Sequence, residues 1–312
     1  MNARSKEYNV LIVGAGRIGA FYDVPVDNKV LSHAHAVTIN KRLRLTGFVD
    51  VDFSKACQAA ELWGGRAFAS LHEVKEEIDI VCCATYDKAH CETIKQIMEI
   101  NPKAIVTEKP FTETYDQAEE IYNLLKHKEI IVEVNYSRRF IEAFSYMKDR
   151  IQQMGRLLCG NAFYGKGLLH NGSHLFDLFL FLFSDVSIVK RKERFSDYGD
   201  ADKSYVVIAA VDDAQIYVQP VDSRMVTVFE MDLLFENGRV RYSDENNRIE
   251  IFSKCESSIY AGEINYQLDK AIIIDNSRAL INLYDNIVNA LENNGNIMSS
   301  MEDVLKVMRL CT

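Results

Sequence analysis

The sequence predicts an α/β chain: an N-terminal doubly wound parallel sheet over residues 1–136, then an α+β domain over 137–312 with a mostly antiparallel open sheet. Three observations predict it. Up to Asn135, short β-branched runs alternate with amphipathic stretches, the pattern of parallel strands joined by crossover helices. From Ser187 to Phe252, strand-like runs follow one another with only turns between them, the pattern of antiparallel pairing. With four prolines and no Pro/Gly/Ser-rich stretch, the boundary is a change of architecture and not a tether.

The first domain reads as five buried strands: "YNVLIVG", "RLTGFVD", "IDIVCCAT", "KAIVTEK" and "EIIVEVN". Amphipathic helices fall between them, for example over 88–100 and 115–126. "RRFIEAFSYMKDRIQQM" opens the second domain as a helix, and a strand follows through Cys159–Tyr164. A short, very apolar helix comes after "HNGSH". Then come the strands "SIVKRKERF", "SYVVIAAV", "AQIYVQPV", "MVTVFEMDLLF", "GRVRYS" and "NRIEIF", with turns at Asp212-Asp213 and Asn237-Gly238. Residues 277–291 and 301–310 return to helix, expected within the second domain. "MVTVFEMDLLF" carries apolar residues on both alternations, which suits burial on two faces.

At 48% hydrophobic and 26% charged, the chain can bury ordinary globular cores. Its net charge of −9, with no basic stripe, argues against a nucleic-acid partner. The seven cysteines contain no C-x-x-C pair, so they read as reduced thiols of a cytoplasmic protein. "MNARSKEYNV" lacks the apolar core of a leader peptide, and the longest apolar run, 175–183, is interrupted by Asp177 and too short to span a bilayer.

"GAGRIG", Gly14 to Gly19, follows the first strand directly and is expected to open a helix. In that context Gly14 permits a tight turn, Gly16 lets backbone approach a pyrophosphate, and Gly19 lets the helix pack on the strand, with Arg17 and Ile18 in the loop between. This is a Rossmann dinucleotide fingerprint. Asp50 closes the second strand, where a carboxylate accepts the adenosine ribose hydroxyls and repels a 2′-phosphate, so NAD(H) is favoured over NADP(H). Asp50 lies 31 residues beyond Gly19, where about 20 is usual. "YDVPVDNKVLSHA" accounts for the excess as an inserted loop, with His33 and His35 at its return, near the adenine or the rim of a cleft. The alternative for Asp50 is a plain turn cap.

The ordered set "GAGRIG", "DIVCCATYDKAH", "EKP", "NYSRRF" and "GSHLFD", spread over residues 14–177, resembles the Gfo/Idh/MocA oxidoreductase family. The resemblance implies that Thr85, Tyr86 and His90 border the cofactor's ribose and nicotinamide side. It implies that Glu108 lies near the nicotinamide ribose and that Lys109 reaches the oxygen on the reacting carbon. The family often has a cis bond before the proline of this motif, here Pro110. In the family the exposed face of the open sheet pairs with another subunit, so the resemblance implies a homodimer or homotetramer. Asn135, Arg138 and Arg139 of "NYSRRF" would face substrate or tie the domains together.

The same resemblance assigns proton transfer with the substrate hydroxyl to the histidine of "GSH", here His174. Its usual partner is an aspartate four residues earlier, and here that position is His170, in "LLHNGSH". Residues four apart share one side of a helical turn, so both imidazoles can address one ligand. Imidazole titrates near neutrality, so one ring can accept a proton while the other donates. The alternative for His170 is a structural ring bonded to backbone. Asn171 and Ser173 are expected to cap the apolar helix, and Asn171 also stands as a substrate residue. Tyr164 and Lys166 of "YGKG" could reach substrate, the lysine meeting a phosphate or carboxylate. No metal site is expected: His170, His174, His33 and His35 lack partners of convincing spacing. Cys82-Cys83 reads as core packing.

The function these readings give is NAD-dependent hydride transfer at a hydroxyl or carbonyl carbon of a sugar, sugar derivative or nucleotide-linked sugar. Two other readings stay open: a reductase of a non-sugar C=O or C=N substrate, and a catalytically silent NAD-binding sensor or scaffold.

Overall fold

The computed structural model describes residues 6–312; the first five residues of the N-terminal segment lie outside them. Contacts divide the chain into two units. One runs to Phe140 and takes in Ser277–Leu305; the other is Ile141–Asn276 with Lys306–Thr312. The single break expected at 136/137 thus becomes a discontinuous division, because the chain returns to the first unit near its C-terminus. Among the described residues, no helix is long and apolar enough to cross a membrane.

The first unit is built on β1 (Tyr8–Val13), β2 (Leu43–Val49), β3 (Arg66–Phe68), β4 (Ile80–Cys83), β5 (Ala104–Thr107) and β6 (Ile131–Val134). All pair in parallel, in the order β3-β2-β1-β4-β5-β6. The five expected strands are present, and β3 is an added short edge strand whose three residues carry too little pattern to read. The helices are α1 (His33–Ile39), α2 (Phe53–Trp63), α3 (His90–Ile100) and α4 (Tyr115–Leu125). β-branched and apolar residues of β1, β4 and β5 are wholly buried, as expected of strands covered on both faces.

The glycine loop does not open a full helix. One wide helical turn, Arg17–Phe21, follows it, and the chain then leaves on an excursion through Pro25 before α1 begins. The buried Asp23 closes this excursion: it accepts the Leu31 N–H at 2.6 Å, the Ser32 N–H and hydroxyl, and His35 Nδ1 at 2.8 Å. Burial works against the charge, but the Ser32 hydroxyl and Leu31 N–H outweigh it and hold Asp23 below the usual carboxylate range. Ser32 in turn caps α1 by accepting the His35 N–H.

The helix α7 (Ala279–Asn293), expected with the second domain, belongs to the first unit. Leu280, Leu283, Tyr284, Ile287 and Val288 join one core cluster with residues of β1, β2, α1 and α2. Its apolar stripe recurs every three to four residues, so one face of α7 is buried along its length.

The second unit carries α5 (Glu142–Ile151), α6 (Ser173–Phe183) and an eight-stranded sheet. Its strands are β7 (Leu157–Tyr164), β8 (Ser187–Phe195), β9 (Ser204–Val211), β10 (Ala214–Pro220), β11 (Glu230–Phe235), β12 (Gly238–Ser243), β13 (Arg248–Glu256) and β14 (Ile264–Ile273). The order is β14-β13-β12-β11-β7-β10-β9-β8, antiparallel except for the β7–β10 pair. Two expectations change. Only Glu230–Phe235 of "MVTVFEMDLLF" pairs, with Met225 and Val226 exposed ahead of it. β14 was not read from sequence, because its residues are largely exposed and show no clean alternation. The last helix, α8 (Met301–Cys311), spans the division between the units.

Candidate active-site residues in the two units

In the first unit the sheet order reverses between β1 and β4, and loops at the carboxyl ends of such strands are where open α/β sheets bind ligands. The residues singled out from sequence gather at those ends. Gly14 follows β1 with φ 98°, and a Cβ there would stand 2.4 Å from the Ala84 oxygen beyond β4. A Cβ at Gly19 would stand 2.1 Å from the Gly14 oxygen. Only glycine fits at either position. At Gly16 an added Cβ would meet no protein atom within 4 Å, so nothing in the fold itself demands glycine there. The open backbone there would admit a diphosphate.

Asp50 follows β2. Its Oδ2 accepts the Ala15 N–H at 2.8 Å and its Oδ1 the Asp52 N–H at 2.9 Å. The carboxylate therefore caps a turn and also docks on the glycine loop. These features fit a dinucleotide. Thr85 is half-buried beyond β4, and Tyr86 is exposed. His90 is buried, with Nδ1 2.7 Å from the Pro110 oxygen and Nε2 3.0 Å from the Thr85 oxygen, so it links two of these loops instead of bordering a ligand.

Glu108 and Lys109 follow β5, and the Lys109–Pro110 bond is cis. Glu108 Oε1 accepts Asn135 Nδ2 at 2.7 Å and pairs with His33 Nε2 at 2.9 Å. His33 Nδ1 lies 3.0 Å from the Tyr284 hydroxyl of α7. A continuous buried chain thus runs Tyr284–His33–Glu108–Asn135. Burial opposes charge on both acid and base. The Cys82 sulfur and Glu108 nevertheless raise His33, while His33 and Asn135, with the Lys109 charge, lower Glu108. The pair is an ion pair near neutrality. Sequence reasoning placed His33 and His35 at a rim; both are buried in the core, His35 tilted over Trp63 with ring centroids 5.1 Å apart. The signal available was "HAHAV", an apolar run straight after a capping serine.

Asn135 is 6% exposed, with its Nδ2 on Glu108 and its Oδ1 buried without a partner. Arg139 donates from Nη1 to the Met298 oxygen at 2.7 Å and to Asp303 at 3.0 Å, so it ties the end of β6 to the segment after α7. Arg138 is half-buried. Cys82 and Cys83 are fully buried, and burial pushes the Cys83 thiol up to about 12.

In the second unit, residues Gly167–Gly172 form a wide helical turn that runs directly into α6. His170 lies on this turn and His174 in the first turn of α6, both half-buried. Because the turn feeds the helix without a break, neither Asn171 nor Ser173 caps it: Asn171 Nδ2 donates to the Gly165 oxygen at 3.0 Å, and Ser173 Oγ is buried without a partner. Tyr164 is wholly buried. Its hydroxyl donates to the Tyr205 oxygen and accepts the Tyr205 N–H, each at 2.8 Å, which makes it a strut and not a substrate contact. Lys166 is half-buried with φ 62°. The His170 ring stacks on Tyr198, with centroids 3.8 Å apart and planes 16° from parallel. Among the described residues, no three His, Cys, Asp or Glu side chains cluster as metal ligands.

Residues 8–136 match the oxidoreductase family with an NAD-binding Rossmann fold, Gfo/Idh/MocA. The UDP-N-acetylglucosamine 3-dehydrogenase of Acidithiobacillus ferrooxidans is 22% identical over 137 residues, 44% of this chain and 39% of that protein. Its solved structure superposes with a TM-score of 0.75 over 97% of this chain and 95% of that one, at 16% identity. An oxidoreductase from Agrobacterium radiobacter, solved with NAD+, L-tartaric acid and magnesium, superposes with a TM-score of 0.76 over 98% and 94% of the two chains, at 14% identity. An uncharacterized oxidoreductase of Schizosaccharomyces pombe is 34% identical over 80 residues, 26% of this chain and 21% of that protein. The curated relatives are thus matched over only 21 to 39% of their own length.

Proposed function

We propose that this chain, which belongs through residues 8–136 to the Gfo/Idh/MocA oxidoreductase family, is an NAD-dependent dehydrogenase acting on a hydroxyl or carbonyl carbon of a sugar derivative, nucleotide-linked sugars included. The observation that carries the reading is the arrangement at the carboxyl ends of the parallel strands. An open glycine cradle, the Asp50 carboxylate and the locked Glu108 with Lys109 beside it stand around the point where the strand order reverses. The sugar class is supported by the A. ferrooxidans relative, whose name states its substrate.

Bound NAD+ supplies the hydride acceptor. In this reading Asp50 accepts the adenosine ribose hydroxyls and, as a fixed anion, disfavours a 2′-phosphate. Glu108, held by His33 and Asn135, accepts a hydroxyl of the nicotinamide ribose. A substrate alcohol that loses a hydride must also lose its hydroxyl proton. Lys109 stabilises the charge that develops on that oxygen, and His174, with His170 on the preceding turn, takes the proton. Arg138, Asn171 and Lys166 hold the polar groups of the substrate. The outward face of the open sheet carries Leu234, Phe252 and Leu268 beside Asp232, Arg239 and Arg241. It is proposed to pair with a second copy, and a monomer by light scattering at micromolar concentration would remove that part.

The test is a parallel titration with NADH and NADPH, read as energy transfer from the aromatic residues to the dihydronicotinamide, followed by a screen of sugar derivatives at the nicotinamide absorbance. Tight NADH with weak NADPH binding, and turnover lost in Lys109→Ala with NADH affinity kept, is the expected result. Absence of binding by either nucleotide would overturn the reading.

A further inference from the structure

The turn that carries His170 is held by a loop far along the chain. Residues 166–170 present five successive backbone N–H groups, and the segment Asp197–Lys203 receives all of them. Asp197 accepts Lys166 N–H at 2.8 Å and Gly167 N–H at 3.2 Å. The Lys203 carbonyl accepts Leu168 N–H at 3.0 Å. Asp202 accepts Leu169 N–H at 2.9 Å and His170 N–H at 2.7 Å. These are the amides that open the wide turn, and such amides have no partner within a helix. They converge because Lys166 and Gly167 are both left-handed, at φ 62° and 75°, and turn their N–H groups to one side. A Cβ on Gly167 would stand 2.1 Å from Asp202 Oδ2, so the glycine exists to admit that carboxylate. The same loop supplies Tyr198, whose ring covers His170.

We propose that Asp202 is a positioning residue for the acid–base turn: its carboxylate fixes the backbone from which His170 and His174 project and supplies, from another strand connection, a negative charge beside His170. The inference rests on the acid–base role assigned above to that turn. His170 occupies a position with no carboxylate of its own in "LLHNGSH", and the chain brings one there from 32 residues away. The two aspartates do different things. Against burial, the N–H groups of Ser223 and Lys166 pull Asp197 down to about 2, which marks it as the fixed root of the loop. Burial prevails at Asp202 and raises it despite the Leu169 and His170 amides, and its charge interacts directly with the His170 ring. The charged and titratable groups facing this turn are Asp197, Tyr198 and Asp202 from the loop, Lys166 on the turn, and Tyr164 and Cys311, which feel the Asp202 charge.

The experiment is amide hydrogen exchange read by NMR on the full chain without substrate, with the His170 and His174 ring signals, assigned through His170→Gln and His174→Gln, followed on the same samples. Asp202→Asn leaves one acceptor oxygen where the carboxylate offers two, and it is expected to speed exchange at the Leu169 or His170 N–H by about 10-fold or more and to displace the His170 ring signals. Tyr198→Leu removes the stacked ring and leaves both aspartates, and it is expected to keep exchange at those amides within about 2-fold of wild type. Unchanged exchange in Asp202→Asn overturns the proposal. So does an equal rise in both variants, which would assign the effect to loop order and not to the carboxylate. NADH binding is measured on the same samples: its absence in the wild-type chain would defeat the proposed function while leaving the Asp202 result readable by itself.

Discussion

Glu133 stands in the middle of β6, wholly buried, in the run "IIVEVN". Its Oε1 accepts the Met298 N–H at 3.0 Å, and its Oε2 is buried with no partner. Burial dominates over the Met298 and Ser299 amides and the Arg139 charge, and pushes the carboxyl from 4.5 up to about 8. Between those values the folded chain keeps a proton that the unfolded chain has released. Stability therefore falls as pH rises from 4.5 to about 8 and levels off above that. The interval is about 3.5 pH units at ~1.4 kcal/mol each, an upper bound of about 5 kcal/mol. Glu133→Gln removes the titration. The added Nε2 brings two donors to a place with no acceptor, at a cost of roughly 1–3 kcal/mol that does not vary with pH. The variant's stability relative to wild type should therefore climb by about 2–5 kcal/mol between pH 5 and pH 8. The assay is urea unfolding of both proteins at four pH values, followed by Trp63, the single tryptophan, which lies in the same unit. A difference curve flat to within about 0.5 kcal/mol across that range would refute the reasoning.

His33→Ala leaves the Glu108 charge buried with Asn135 alone, and should destabilise the first unit by about 3–5 kcal/mol in the same urea assay. The loss should be greatest between pH 4.5 and 6.5, where both partners are charged in the folded and unfolded chains alike. It should shrink as pH rises through about 10, where the folded His33 discharges, or falls through the lowered Glu108 value. Gly14→Ala places a methyl against the Ala84 carbonyl at a left-handed φ, and thermal denaturation should show a loss of more than about 2 kcal/mol. Asp50→Asn should weaken NADH by roughly 10-fold or more and narrow its advantage over NADPH, read in the fluorescence titration. Unchanged selectivity would free Asp50 from its assigned role.

The architecture was legible because the strong patterns are local. Five parallel strands announce themselves as β-branched runs, and the glycine loop announces the first crossover. What escaped lacks a local signature. β3 is three residues long, and β14 is exposed along most of its length, so neither shows a period. The excursion after the glycine loop was visible as excess length, yet its closure on Asp23 depends on bonds to residues eight to twelve positions away. Placement was legible where a motif names its residues: Gly14, Asp50 and Lys109 lie just past parallel strands, and His174 in the first turn of α6. It was not legible where tertiary pairing decides the role. His33 reads as a loop histidine until Glu108 and Tyr284 are seen on its two nitrogens. Tyr164 reads as a ligand contact until Tyr205 is seen to occupy its hydroxyl. Asp202 lies in the polar run "DYGDADK", where aspartates ordinarily signal only a turn.

Tyr284 and His33 are 251 residues apart in sequence and share one buried hydrogen bond. A ribosome releases the six parallel strands long before it releases α7. During that interval, at about 5–20 residues per second, the nascent first unit has a sheet but no Tyr284, Leu283 or Ile287 to cover α1 and β1. The whole of 141–276 must emerge before the missing helix does. The unit that carries the glycine loop therefore stays open until α7 has emerged, and a chain cut after residue 140 leaves an apolar seam uncovered on α1 and β1 instead of a finished first unit.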